Sequence, residues 1–299
     1  MSLTEKPELE ERFLEEVSDH AFKDKRNGLV KKTFFQLRFN PRNREQTLGE
    51  IAEAMNKQLG EEYEGKIKDI AQRAVLKLKN RYEKEIRADG IDPGLWSVGR
   101  GGKVEGVEGR VSPWQEAYDW LWTKKYAQWV WDRLIEQARE AGEQITLTEV
   151  NSSADRDPAL PRSPKNVALK DEPYQLWIDL KQDGFLLVLG QWTSGQKCCY
   201  CPSQAFAVTT QKLSGSTATV LPDRKSLAAK SKTYFAFQDE GKEWVLVIIT
   251  PEQLNLGWTG VGGMEMVHKL TANCLVDLWR QLEQQPDAEL FYKVFEIAN

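Results

Sequence analysis

The chain is 299 residues long, 40% hydrophobic and 29% charged, with a formal net charge of -4. That length has room for two domains, and the composition is that of an ordinary globular protein. The negative balance excludes bulk electrostatic binding to nucleic acid. No run of residues reaches the length of a membrane span, and no basic-then-apolar start predicts a signal peptide.

Residues 5–27 are rich in Glu and Lys. Phe13, Leu14, Val17 and Phe22 recur there at roughly helical spacing, which predicts a short helix and then a turn at Asn27-Gly28. A helical unit follows from Leu29 to Arg87. Phe34, Phe35, Leu37 and Phe39 mark its first helix. Thr47 is a good N-cap, and Glu50 three residues on completes a capping box. Leu48, Ile51, Ala52 and Met55 then form one apolar face. Ile67, Ile70, Ala71, Ala74, Val75, Leu78 and Tyr82 supply a matching face on a longer helix. The pattern predicts a three-helix core containing a helix-turn-helix, closed near Asp92-Pro93-Gly94.

The uncovered sides of the longer helix are basic. At about 100° per residue, Lys66, Arg73, Lys77 and Lys84 line one flank, and Lys68, Gln72 and Lys79 the other. Residues 66–87 hold eight Lys/Arg against three Asp/Glu. Lys and Arg neutralise phosphates, and Gln72 or Arg73 has the donors and acceptors to reach base edges. The candidate DNA-binding residues are therefore Lys66, Lys68, Gln72, Arg73, Lys77 and Lys79. A second reading stays open. Glu61, Glu62 and Glu64 make the turn acidic, and Leu76 points outward, as in a protein-binding or purely structural three-helix unit.

The run Phe35-Gln-Leu-Arg-Phe39, then Thr47-Leu-Gly-Glu-Ile-Ala-Glu-Ala, then Arg73-Ala-Val-Leu-Lys-Leu-Lys79 resembles the promoter −35-reading region four of bacterial sigma factors. The resemblance implies a helix-turn-helix whose second helix lies in the major groove. It implies base contacts near the start of that helix, at Lys66, Lys68, Asp69, Gln72 and Arg73.

Residues 97–112 are Gly-rich and predict a loop, in which Gly99-Arg-Gly-Gly-Lys103 is a short basic piece. Ser112 and Pro113 predict a helix start, and the helix is expected to run to about Ala141-Gly142. Tyr118, Trp122, Tyr126 and Trp129 form an aromatic stripe on it, with Trp120 and Trp131 off the stripe. Such a helix is expected to be buried between the two halves of the chain. Pro158, Pro161 and Pro164 mark 151–166 as a linker.

Beyond it the period becomes extended. Tyr174–Leu180 alternates and Gly184–Leu189 is continuously apolar, with Lys181–Gly184 read as the hairpin turn between them. Further strands are expected at 197–201, 217–221, 232–238 and 243–249. An amphipathic helix is expected from Met264 to Leu282 and one more strand at 290–297. The segments Tyr174–Leu180, Asp183–Leu189, Tyr200–Ser203 and Glu243–Ile249 together resemble an uncharacterised β-rich bacterial domain. It is attached to caspase-like peptidases and protein kinases, frequently in cyanobacteria. The resemblance implies a non-enzymatic accessory or sensing module.

The inventory for catalysis is thin. His20 and His268 lie in separate segments, and a Cys-His pair has only His268 to use. Cys198, Cys201, His268 and Cys274 can be written down as a zinc set. Cys198, Cys199 and Cys201 fit buried strand positions better, with Cys199 and Cys201 facing one way and Cys198 the other. His268 is expected as a partly exposed helix residue. The glycines at 257–263 lack the Gly-Lys-Ser/Thr ending of a phosphate loop.

The sequence thus predicts an α+β protein. A helical domain with a helix-turn-helix occupies 1–95, a Gly-rich loop and aromatic helix 96–150, the linker 151–166, and a β-sandwich-like domain with a C-terminal helix 167–299. The expected function is a DNA-binding transcription regulator whose β-rich domain senses a ligand or docks a partner. The alternative is a non-enzymatic adaptor or substrate in a bacterial signalling or defence pathway. Expected partners are DNA and a protein such as RNA polymerase or a caspase-like peptidase. No catalytic residue, metal, cofactor or membrane is expected, and the free cysteines point to a cytoplasmic setting.

Overall fold

The computed structural model describes residues 8–23, 28–96, 113–150, 167–207, 211–215, 217–223, 225–230, 235–259 and 267–299. The protein is mixed α and β and divides into two units, Met1–Trp129 and Val130–Asn299. The expected loop at 97–112 and linker at 151–166 lie outside the described residues. No described helix is long and apolar enough to cross a membrane.

The first unit is helical. Helices α1 (Leu9–Ala21), α2 (Gly28–Arg38), α3 (Leu48–Leu59) and α4 (Ile67–Ala88) are followed by α5 (Pro113–Trp120). A π turn over Leu121–Lys125 joins α5 to α6 (Tyr126–Gln137), whose first residues belong to this unit. The capping box forms as the sequence predicts. Thr47 Oγ1 accepts from the Glu50 amide at 3.3 Å, and Glu50 Oε2 accepts from the Thr47 amide at 2.7 Å. Both bonds occupy amide donors that a helix start leaves open. Gly60 ends α3 in the left-handed region at φ 71°, where a residue without Cβ carries no steric penalty. Helix α2 packs on α1, α3 and α4. Phe34, Phe35, Phe39, Ile51, Ala52, Met55, Ile67, Ala74, Val75, Leu78 and Tyr82 are buried, as the periodicity predicts. Leu37, Leu48, Ile70 and Ala71 are only half-buried, and Arg38 holds a buried position next to Leu37.

The aromatic helix departs from a plain α-helix. At the π turn the Tyr126 amide bonds to the carbonyl of Leu121, five residues back. Aromatics spaced four apart drift around an α-helix by about 40° per step. One wider turn absorbs that drift, so Tyr118, Trp122, Tyr126 and Trp129 stay in line. Phe13 of α1 packs on this line, 5.4 Å from Trp122, 4.8 Å from Tyr126 and 5.7 Å from Trp129. The indole N–H groups anchor it further: Trp122 donates to the Phe39 carbonyl at 2.9 Å and Trp129 to Glu16 at 2.9 Å. Trp120 donates to Asp89 at 2.7 Å. The stripe therefore belongs to the core of the first unit. Helix α6 stops at Gln137, short of the expected Ala141-Gly142, because the chain turns there into a strand.

The second unit carries β1 (Arg139–Glu140), β2 (Ile145–Glu149), β3 (Val167–Leu169), β4 (Tyr174–Ile178), β5 (Gly184–Gln191), β6 (Lys197–Cys201), β7 (Gln211–Leu213) and β8 (Thr219–Leu221). A single helical turn α7 (Leu227–Lys230), then β9 (Gly241–Thr250), β10 (His268–Lys269), α8 (Ala272–Leu282) and β11 (Glu289–Ala298) complete it. Among the described residues the larger sheet runs β1-β11-β9-β5-β6-β10, with β3 also on β11 and β7 also on β5. A smaller sheet runs β2-β4-β8. Strands β1 and β3 are parallel to β11, and the remaining pairs are antiparallel. Both sheets face one apolar cluster: Leu147, Leu176 and Ile178 enter from the smaller, Val188, Val247 and Phe295 from the larger. Strand β5 is continuously apolar because its other face is buried as well, through Leu187 and Leu189.

Several expectations are corrected here. Strands β4 and β5 do not form a hairpin. Strand β4 pairs with β2 and β8, and β5 with β6, β7 and β9, so residues 179–183 cross from one sheet to the other. Period-two alternation says which face of a strand is buried, not which strand lies beside it. Strand β2 lies where no strand was expected. Of the expected strand at 232–238, residues 232–234 lie outside the described residues, and Phe235 makes only an isolated bridge to Tyr174. Helix α8 begins at Ala272, because Thr271 caps it by accepting from the Cys274 amide at 3.4 Å. His268 is therefore on strand β10 and not on a helix. A β-bulge opposite Val188 and Leu189 leaves Tyr200 without a partner residue. The extra residue puts Cys198, Tyr200 and Cys201 on the core face and leaves Cys199 on the other, unlike simple alternation.

Candidate nucleic-acid interface

Helix α4 is amphipathic over 22 residues, with a non-helical backbone at Tyr82 (φ -112°, ψ 17°) that divides it. Ala74, Val75 and Leu78 face the core, so the opposite ridge is Asp69, Gln72, Arg73, Leu76 and Asn80, all exposed. The six predicted residues distribute around this ridge. Lys66 lies in a 3-10 turn (Glu64–Lys66) just before α4 and is exposed, as are Lys68, Gln72 and Arg73. Lys77 and Lys79 are half-buried. Arg73 is paired with Asp69 one turn back, with Nη2 3.0 Å from Oδ2. Both partners are well exposed, so the pair holds Arg73 only weakly.

The two flanks border two different hollows of the first unit. Lys68 and Gln72 line a mainly apolar one of about 270 Å³, together with Phe34, Leu48, Val75 and Trp114. At its floor lies Arg38, which sequence reasoning missed. Its guanidinium carbon sits 3.6 Å from the Trp114 ring centroid. Its Nη1 donates to the carbonyls of Arg44 at 3.3 Å and Gln46 at 3.0 Å. Arg38 thus ties the approach to α3 onto α2. Burial pushes its pKa below the usual arginine value, against the opposing charges of Tyr118 and Glu45.

Arg73 and Lys77 line the second hollow, of about 390 Å³, with Lys31, Leu76, Asn80 and Arg81. Neither Lys31 nor Arg81 was among the predicted residues; Arg81 lies on α4 itself, just before its break. Lys31 comes from α2, and only the packing of α2 on α4 brings it in. The field at this end of the unit is positive. Arg81 Nη2 lies 3.3 Å from His20 Nδ1. Burial, then the charges of Arg81, Lys23 and Lys125, hold the His20 pKa below its ordinary value, against the opposing Glu85. Glu61, Glu62 and Glu64 are exposed at the other end, before α4 begins.

Cys198, Cys199 and Cys201 are buried in β6, and Cys274 is buried in α8; all four are free thiols. Among the described residues no group of three or more His, Cys, Asp or Glu is placed to hold a metal ion. The zinc set Cys198, Cys201, His268 and Cys274 is not assembled: the bulge in β6 turns Cys198 and Cys201 into the core, whereas His268 is paired opposite Cys199, on the other face, with Cys274 beside it. No family model matches the chain, and neither do curated proteins or solved structures.

Proposed function

We propose that the protein binds DNA through α4, with α3 and α4 acting as a helix-turn-helix in a transcription regulator. The observation that carries this reading is the ridge of α4. Gln72, Arg73 and Asn80 offer the bidentate donor and acceptor groups that read base edges, and Leu76 between them suits a thymine methyl. Lys68 on one flank, and Lys31, Lys77 and Arg81 on the other, stand where phosphates of the two groove walls would pass. Helix α4 before its break is about 22 Å long and fits a major groove about 12 Å wide. The second unit, with two sheets over one core, is assigned the sensing or docking part as a β-sandwich-like module.

The test is binding of the full-length chain to duplex DNA, measured by fluorescence anisotropy across a salt series. Log affinity should fall with log salt by about 0.9 per phosphate neutralised. Arg73→Ala with Lys77→Ala should weaken binding by tenfold or more and flatten the salt slope by about 1 to 2. Absence of binding at low salt overturns the proposal.

A second reading has its own observation. Leu76, beside the basic residues of the second hollow, and Leu29 of α2 are apolar side chains 49% and 66% exposed. An adaptor that docks an acidic protein segment would use them, in a signalling or defence pathway linked to a caspase-like peptidase. Leu29→Ser with Leu76→Ser separates the readings. DNA binding keeps its salt slope in this variant, whereas capture of an acidic protein partner is lost.

A further inference from the structure

Four thiols are present, and one of them is set apart. Cys198, Cys199 and Cys201 are fully buried, at 0% exposure, whereas Cys274 retains 8%. Burial pushes the Cys198 thiol up to about 12 and the Cys199 thiol well above its ordinary value, so neither supplies a thiolate near neutral pH. Cys274 is the third residue of α8, where the amide groups of a helix start favour negative charge. Its Sγ lies 3.8 Å from Nε2 of His268 and 3.3 Å from Oγ1 of Thr271. His268 is half-buried on β10, held by pairing with Cys199 of β6. Its ring is stacked on Trp258, with centroids 5.7 Å apart and planes at 18°. A nucleophile, a base within reach and a group orienting the base are thus assembled at one place.

We propose that Cys274 and His268 form a reactive-thiol site that takes small disulfides by thiol–disulfide exchange. Cys274 Sγ attacks one sulfur of the disulfide while His268 Nε2 accepts the thiol proton. A new S–S bond forms to Cys274 and the original one breaks. The departing half leaves as a thiolate with the electron pair and takes up the proton from the imidazolium. Cys274 is oxidised to a mixed disulfide, and half of the reagent is reduced to a thiol. Thr271, which caps helix α8, touches the same sulfur. Modification there loads the helix start directly. The site is independent of α4 and of the DNA reading.

The experiment uses the full-length chain and dithiobis-nitrobenzoate, whose released thiolate absorbs visible light. One equivalent should be released in a fast phase, with the adduct located at Cys274 by peptide mass spectrometry. The other three thiols should react only after denaturation. Cys274→Ser should remove the fast phase. His268→Gln should slow it by about tenfold or more, the lower range of general-base assistance. A thermal melt checks that this variant is folded. If it is not, the comparison is the native chain against an unfolded peptide spanning 268–280, which should react more slowly than the native thiol. A native Cys274 no faster than that peptide, or a folded His268→Gln with the native rate, overturns the site.

Discussion

At the scale of single residues, two buried charges stand out by what holds them. Arg38 is 6% exposed in a helix whose neighbouring core positions are phenylalanines. Two backbone carbonyls and the Trp114 face replace the water it loses. Arg38→Ala leaves those carbonyls and the ring without their partner, and should cost about 2–4 kcal/mol in urea unfolding. Glu243 is also 6% exposed, and has a single long bond from the Thr193 amide at 3.4 Å. Burial raises its pKa from 4.5 to about 8. The folded protein therefore holds this proton where the unfolded chain releases it. Its contribution is fully present below pH 4.5, is lost as pH rises through about 8, and is level beyond that. Glu243→Gln removes the titration, and unfolding free energy at pH 9 should rise by about 1–3 kcal/mol over the parent. Urea melts at pH 4, 6 and 9 check the sign.

At the scale of elements, the π turn makes a distinctive prediction. A π turn is an α-helix with one residue to spare. Thr123 lies within it, exposed, with its hydroxyl donating to the Asp119 carbonyl at 2.7 Å. Deleting Thr123 should close the turn to a regular α-helix and keep Tyr126 and Trp129 against Phe13. The melting temperature should stay at or above that of the parent. Deleting Gln128, beyond the turn, should rotate Trp129 by about 100° and lower stability sharply. Near-UV circular dichroism of the tryptophans reads both outcomes.

The same scale shows what was legible. Helices α3 and α4 could be read because a cap and a 3.6-residue period are local: Thr47 and Glu50 lie three apart, and each apolar face repeats within one helix. The partners of β4 and β5 could not, since β4 pairs with residues 25 to 33 positions earlier and 41 to 45 later, and alternation carries no address. Arg38 could not be singled out, because Trp114, its cover, is far away in the chain. The candidate interface was half legible: the ridge of α4 lies in one segment, whereas Lys31 arrives by packing. Cys274 and His268 could be named as a pair. Their approach depended on His268 lying on a strand beside β6, which the assumed long helix had hidden.

At the scale of the whole molecule, charge is segregated. The chain carries -4 overall, yet Lys31, Arg73, Lys77 and Arg81 border one hollow. On the DNA reading proposed above, a polyanion would be drawn to that hollow against the net negative charge, which favours oriented approach over indiscriminate sticking. The chemistry is segregated as well. The basic hollow lies in the unit Met1–Trp129, and the Cys274–His268 pair in the unit Val130–Asn299.

Strand β11 has a consequence for how the molecule is made. It lies between β9 on one edge and β1 and β3 on the other, and the Arg139–Glu289 ion pair beside it spans 150 residues of sequence. During synthesis β1, β3 and β9 all emerge before the strand that joins them. Until residues 289–298 have been translated, β9 presents an unpaired edge along Val245, Val247 and Ile249, the kind of edge that recruits other chains. The nascent second unit is thus an open template, closed only by its latest strand. A ribosome stalled before Glu289 would release a product with a sticky sheet edge.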